Sequence, residues 1–142
     1  MSFTSLGPIA EGGVRLSLCT FKVPAGFPSP AADHIEKQIS LDELLSIRAS
    51  SVYLVKFDGD SMQGAGIFAG DLAVVDRAIE PVHGHVVVEI LNNDPLCKRL
   101  VIRNKSIILR SENSKFPDRH ILEGDEFSVW GVITYTVRSH IR

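Results

Sequence analysis

The feature that most constrains the fold is a series of short β-branched and apolar runs in the C-terminal two-thirds of the chain. They are Ser51–Phe57 "SVYLVKF", Asp71–Asp76 "DLAVVD", His85–Leu91 "HVVVEIL", Leu96–Ile102 "LCKRLVI", Ser106–Ser111 "SIILRS" and Phe127–Val137 "FSVWGVITYTV". Val, Ile, Tyr and Phe suit the pleated surface of a sheet. Turn signals separate the runs: "DGDS", "EPVHG", "NNDP", "RNK" and "EGDE". No helical period runs through this half. Short strands with short connections predict a mostly β protein, with the strands antiparallel and strongly bent. Just ahead of them, Ser40–Ile47 "SLDELLSI" predicts a short helix. Ser40 and Glu43 have capping-box spacing, and Leu41, Leu44 and Leu45 would share a face.

Residues 1–33 are rich in Gly, Pro, Ser and Ala and predict a flexible N-terminal arm, with room for one strand at Arg15–Phe21. Residues 34–142 would form the β-rich domain. Within the arm, "VPAGFPSPAAD", Val23–Asp33, has three prolines and suits neither a helix nor a paired central strand.

Composition narrows the function. The chain has 142 residues, 44% of them hydrophobic and 23% charged, enough for one packed core. A net charge of −2 does not predict a basic nucleic-acid surface. Cys19 and Cys97 are too few for a disulfide framework and read as free thiols in a reducing compartment. No apolar run is long enough to span a membrane, and the N-terminus lacks the basic start and apolar centre of a secretory signal. These features predict a cytoplasmic protein. No phosphate-binding or dinucleotide motif is present, and the His83-x-His85 pair lacks further ligands at metal-site spacing. Neither a metal nor a cofactor is expected.

Two residues have reactive potential. Ser61, in "FDGDSMQGAGI", follows a strand and a Gly-containing turn and precedes two more glycines. Such a turn can expose a hydroxyl and aim backbone N–H groups at one point, as an oxyanion hole requires. Asp, Gly and Ser also occur together in ordinary turns. Lys98 shares strand parity with Leu96, Leu100 and Ile102, whereas Arg99 and Arg103 have the opposite parity. A lysine on an apolar face has a lowered pKa and, once neutral, serves as a general base for a serine. An edge lysine that blunts aggregation, or one that snorkels to water, would leave the same pattern. No histidine stands in a recognisable triad context.

Taken together, "VPAGFPSPAADHIE", "VKFDGDSMQGAGIFAGDLAVVD", "HGHVVVEI" and "LCKRL" resemble the UmuD/LexA family of self-cleaving Ser/Lys peptidases, in particular its UmuD-type mutagenesis proteins. The resemblance runs from about Phe21 to Val137. It implies the bent antiparallel β fold of the family's peptidase domain, with Ser61 as nucleophile, Lys98 as general base and Ala25-Gly26 as the bond that is cut. It also implies a homodimer that cleaves itself when a RecA-coated single-stranded DNA filament signals damage. The shortened form would then join a UmuC-like Y-family polymerase, as in DNA polymerase V, to copy past lesions.

An extended, proline-bounded segment suits a protease cleft, and small residues at 25 and 26 allow close approach. An Ala-Gly bond is the LexA-type choice, whereas UmuD-type proteins also carry Cys-Gly. The 25 residues up to the bond are too few for a helix-turn-helix domain, so direct sequence-specific DNA binding is not expected. The alternative reading is a non-catalytic β interaction module that binds a polymerase or clamp. A further alternative is a processing protease acting on other proteins.

Overall fold

The computed structural model describes residues 2–8, 15–19, 35–47 and 50–141. They belong to two compact units, residues 10–48 and the remainder of the chain. In the smaller unit, β2 (Arg15–Cys19) pairs antiparallel with β3 (Ile35–Ser40), and α1 (Leu41–Leu44) follows. Ser40 caps α1 as its spacing predicts, its side chain accepting a hydrogen bond from the Glu43 N–H at 3.1 Å. The helix is a single turn, shorter than the eight-residue pattern, and Leu41 and Leu44 are about half exposed.

The larger unit is one unclosed eight-stranded sheet. Its strands are β1 (Ser2–Pro8), β4 (Val52–Asp58), β5 (Leu72–Asp76), β6 (Val86–Leu91), β7 (Asp94–Arg103), β8 (Ser106–Arg110), β9 (Arg119–His120) and β10 (Phe127–Val137). They lie in the order β1-β4-β5-β10-β6-β7-β8-β9, every pairing antiparallel. This is the mostly antiparallel β fold expected, and each of the six apolar runs forms a strand within a residue or two of its sequence limits. Two strands were not expected, β3 and the two-residue β9. A third, β1, is polar and Gly-containing, and its register on β4 shifts between Ser5 and Gly7.

Two tight hairpins set the register of the central strands. Asn92 and Asn93 have φ of 50° and 68° and join β6 to β7; Asn104 and Lys105, at 48° and 67°, join β7 to β8. Positive φ at both central residues of a two-residue loop is the type I′ pattern, whose twist matches that of the strands it joins.

The central strands are buried on both faces, which accounts for their near-continuous apolar runs. On one side, Val55, Phe57, Met62, Ile67, Ala73, Val75, Val88 and Cys97 form a cluster. On the other, Val87, Leu91, Leu100, Leu109 and Val132 form a second. Alternate residues of β6 and β7 therefore serve different cores.

Candidate active site

Ser61 lies just beyond β4, where Gly59 turns the chain at φ 94°. The loop is anchored on both sides of the serine. Phe57 and Met62 are fully buried in the first cluster, and the Ala65 and Ile67 N–H groups both donate to the Met62 carbonyl. A short 3₁₀ turn, Gln63–Ala65, follows at once and ends on Gly66 in the left-handed region. Ser61 itself is only 1% exposed, and its Oγ has no hydrogen-bond partner. A buried, unpaired hydroxyl costs on the order of 1–3 kcal/mol, so a fold that keeps one needs a reason for it.

Lys98 projects from the middle of β7, with Val87 of β6 as its register partner. Its Nζ donates to Ser111 Oγ at 2.6 Å and lies 5.7 Å from the centre of the Phe116 ring. Burial of the ammonium lowers its pKa; the nearby Glu89 and Cys97 groups oppose that shift. The parity that separated Lys98 from Arg99 is real. Arg99, on the opposite face, pairs with Glu112 and donates to the Gly84 carbonyl.

No hydrogen bond joins Ser61 Oγ directly to Lys98. The two residues are instead tied to the same short segment after β8. Ser111 receives the Lys98 amine. The neighbouring Glu112 carbonyl accepts the Gly64 N–H at 2.6 Å, and Asn113 Nδ2 donates to the Asp60 carbonyl at 2.9 Å. Residues 111–113 thus clamp the serine loop on both sides of Ser61 and hold the lysine at the same time. Gly64 permits this approach, because a Cβ there would lie 2.6 Å from the Glu112 oxygen.

A second clamp fixes the far end of the loop. Asp71 is 1% exposed and takes both arms of Arg138 at 2.7 Å, while its Oδ2 also accepts the Phe68 N–H. Arg138 donates further to the Gly66 carbonyl and lies over the Phe68 ring.

The sequence reading did not single out Ser111, Asn113, Arg138 or Glu89. Nothing local marks the first three, because their partners are distant in sequence. Glu89 did leave a signal: its parity matches that of Val87 and Leu91. Its side chain is 0% exposed, and neither carboxylate oxygen has a hydrogen-bond partner. Burial pushes its pKa up to about 8, against the opposing pull of Lys98. The other candidates have structural roles or lie outside the described residues. His83 and His85 accept backbone N–H groups of Ile102 and Val82 through Nδ1. Cys97 is fully buried, and desolvation raises its thiol pKa, as for an inert core cysteine. The Ala25-Gly26 bond lies outside the described residues. Among the described residues, no helix is long and apolar enough to cross a membrane.

The mostly antiparallel, unclosed β sheet is the fold of a β-class peptidase domain. Residues 17–134 match the Peptidase S24-like family, and the chain belongs to it. It is 32% identical over 120 residues to Protein MucA of Escherichia coli, covering 84% of this chain and 82% of that protein. It is 37% identical over 117 residues to Protein SamA of Salmonella typhimurium, covering 82% and 81%. It is also 37% identical over 119 residues to the LexA repressor of Bordetella avium, covering 84% of this chain and 55% of the repressor.

Proposed function

We propose that the chain is a self-cleaving serine peptidase whose nucleophile is Ser61, whose general base is Lys98 and whose substrate is its own Ala25-Gly26 bond. The observation that carries this reading is the pairing of a buried, partnerless Ser61 Oγ with a desolvated Lys98, both held by residues 111–113.

The neutral Lys98 amine takes the Ser61 proton as Oγ attacks the Ala25 carbonyl carbon. The tetrahedral intermediate collapses with cleavage of the C–N bond, and Lys98 delivers the proton to the Gly26 nitrogen as that amine departs. Water then hydrolyses the Ala25 ester on Ser61, the lysine again acting as base. A substrate tethered in the same chain has a high effective concentration, so activity on free peptides is weak.

In the cell, we infer, a RecA–single-stranded DNA filament stimulates this cut during the SOS response, in the cytoplasm. The shortened protein acts as a homodimeric accessory subunit of an error-prone, UmuC-like Y-family polymerase in translesion synthesis. The relatives named MucA and SamA support this assignment.

Intact mass spectrometry after incubation with RecA, ATP and single-stranded DNA tests the reading, with Ser61→Ala and Lys98→Ala as controls. The expected result is a new species beginning at Gly26 that is absent from both controls. A folded protein that stays whole beside active RecA would favour the non-catalytic interaction module. Cleavage at the normal rate in Lys98→Ala would remove the lysine from the mechanism.

A further inference from the structure

Among the described residues, three buried side-chain polar atoms lack a hydrogen-bond partner: Ser61 Oγ and the two carboxylate oxygens of Glu89. The proposed mechanism explains the first and leaves the other two unassigned. A fully buried carboxyl with nothing to bond is costly, and an apolar residue in its place would pack at no such cost.

The register places Glu89 beside the lysine. In the β6–β7 ladder Val87 pairs with Lys98 and Glu89 with Leu96. Directly paired residues share a face, so Glu89 and Lys98 are diagonal neighbours on the face that also holds Val87, Leu91 and Leu100. Diagonal neighbours in an antiparallel pair are about 7–8 Å apart, within reach of long side chains. The other strand against Glu89 is β10, whose register partner is the uncharged Val129. On β7 the titratable groups acting on it are the Lys98 amine and the Cys97 thiol. Lys98 is therefore its one cationic neighbour on the flanking strands, and the N-terminal ammonium exerts a smaller pull of the same sign.

We propose that Glu89 is a positioning residue for Lys98, whose carboxylate, once its proton has left, holds the lysine protonated and so restrains the Ser61–Lys98 pair as pH rises. This rests on the Ser/Lys reading above. The two groups titrate as a pair. Burial delays loss of the Glu89 proton to about pH 8. The carboxylate left behind, poorly screened inside the sheet, stabilises the ammonium and keeps Lys98 from acting as a base. Without that carboxylate, the larger of the two influences that oppose desolvation of the lysine is gone and the neutral amine forms at lower pH.

The direct test reads Lys98 without cleavage. In a Ser61→Ala background, the Lys98 Cε resonance of carbon-13-labelled protein is titrated with pH and assigned by its loss in Lys98→Arg. Glu89→Gln and Glu89→Met are compared with the parent. The Met variant fills the site with an apolar chain of similar length, so the test survives if the buried amide does not fold. We expect the Lys98 midpoint to fall by at least about one pH unit in both variants, a tenfold gain in neutral amine at fixed pH. With Ser61 restored, the alkaline limb of self-cleavage should move by the same interval. An unchanged Lys98 midpoint in the folded variants would overturn the proposal. Failure of the underlying reading is distinguishable: Lys98→Ala would then cleave normally while the resonance still shifted.

Discussion

Lys98 Nζ donates a hydrogen bond to Ser111 Oγ at 2.6 Å, across the β7–β8 hairpin. The contact fixes the end of a flexible side chain that, in the proposed mechanism, must lie ready for a serine proton. Replacing Ser111 by alanine removes the acceptor and frees the amine. We expect self-cleavage to slow by about tenfold, the equivalent of roughly 1.4 kcal/mol, with the fold retained. Single-turnover cleavage rates, with circular dichroism as the fold control, check this. An unchanged rate would leave Ser111 as a packing residue.

The Arg138–Asp71 pair should stabilise the protein in a pH-dependent way. The Arg138 hydrogen bonds hold the Asp71 pKa below the ordinary carboxylate value. A carboxyl lowered in the folded state contributes stability above its unfolded pKa of about 4, which is lost as pH falls through the folded value. Arg138→Met should destabilise the protein at neutral pH, by less than the loss of a fully buried pair, because 41% of the arginine side chain is exposed and solvent screens it. The gap between wild type and variant should narrow below about pH 4. Urea unfolding at several pH values measures both effects.

Glu89 gives a pH dependence of the opposite sign. Its folded pKa, about 8, lies above that of an unfolded glutamate. Between those values the unfolded chain has released a proton that the folded chain keeps, so stability falls as pH rises. The limiting slope for one group is about 1.4 kcal/mol per pH unit. We expect the unfolding free energy of Glu89→Met to vary less than that of wild type between about pH 5 and 8. Parallel curves would mean that the carboxyl is ionised in the folded protein across that range.

The β7–β8 hairpin carries a correctable strain. Lys105 has φ 67°, a region that a residue with a Cβ adopts at a cost of about 1–2 kcal/mol. Lys105→Gly would produce an Asn-Gly type I′ turn. We expect a gain of about 0.5–1 kcal/mol, part of the relief being offset by the greater freedom of glycine when unfolded. Thermal unfolding monitored by circular dichroism decides the sign.

Much of the larger unit was legible in the sequence. Each apolar run between turn signals became a strand, because period-two packing and turn residues act locally. Ser40 could be read as a helix cap for the same reason. Strands β1 and β3 were not legible, since polar residues, Gly and Pro interrupt their few β-favouring residues and partners elsewhere in the chain hold them. For Ser61 and Lys98, parity and the Gly-containing turn pointed to candidates and left ordinary turn and edge-lysine readings open.

By itself, the sequence determined the six apolar strands of the larger unit, the hairpin turns and the apolar parity of Lys98, all set within a few residues of chain. Only the tertiary structure decided that Ser61 Oγ is buried without a partner, that Ser111–Asn113 hold both the serine loop and the lysine, and that Glu89 is sealed diagonally across from Lys98. Hydrogen bonds across 13 to 53 residues and the register of antiparallel strands create those relationships, and no local pattern encodes them.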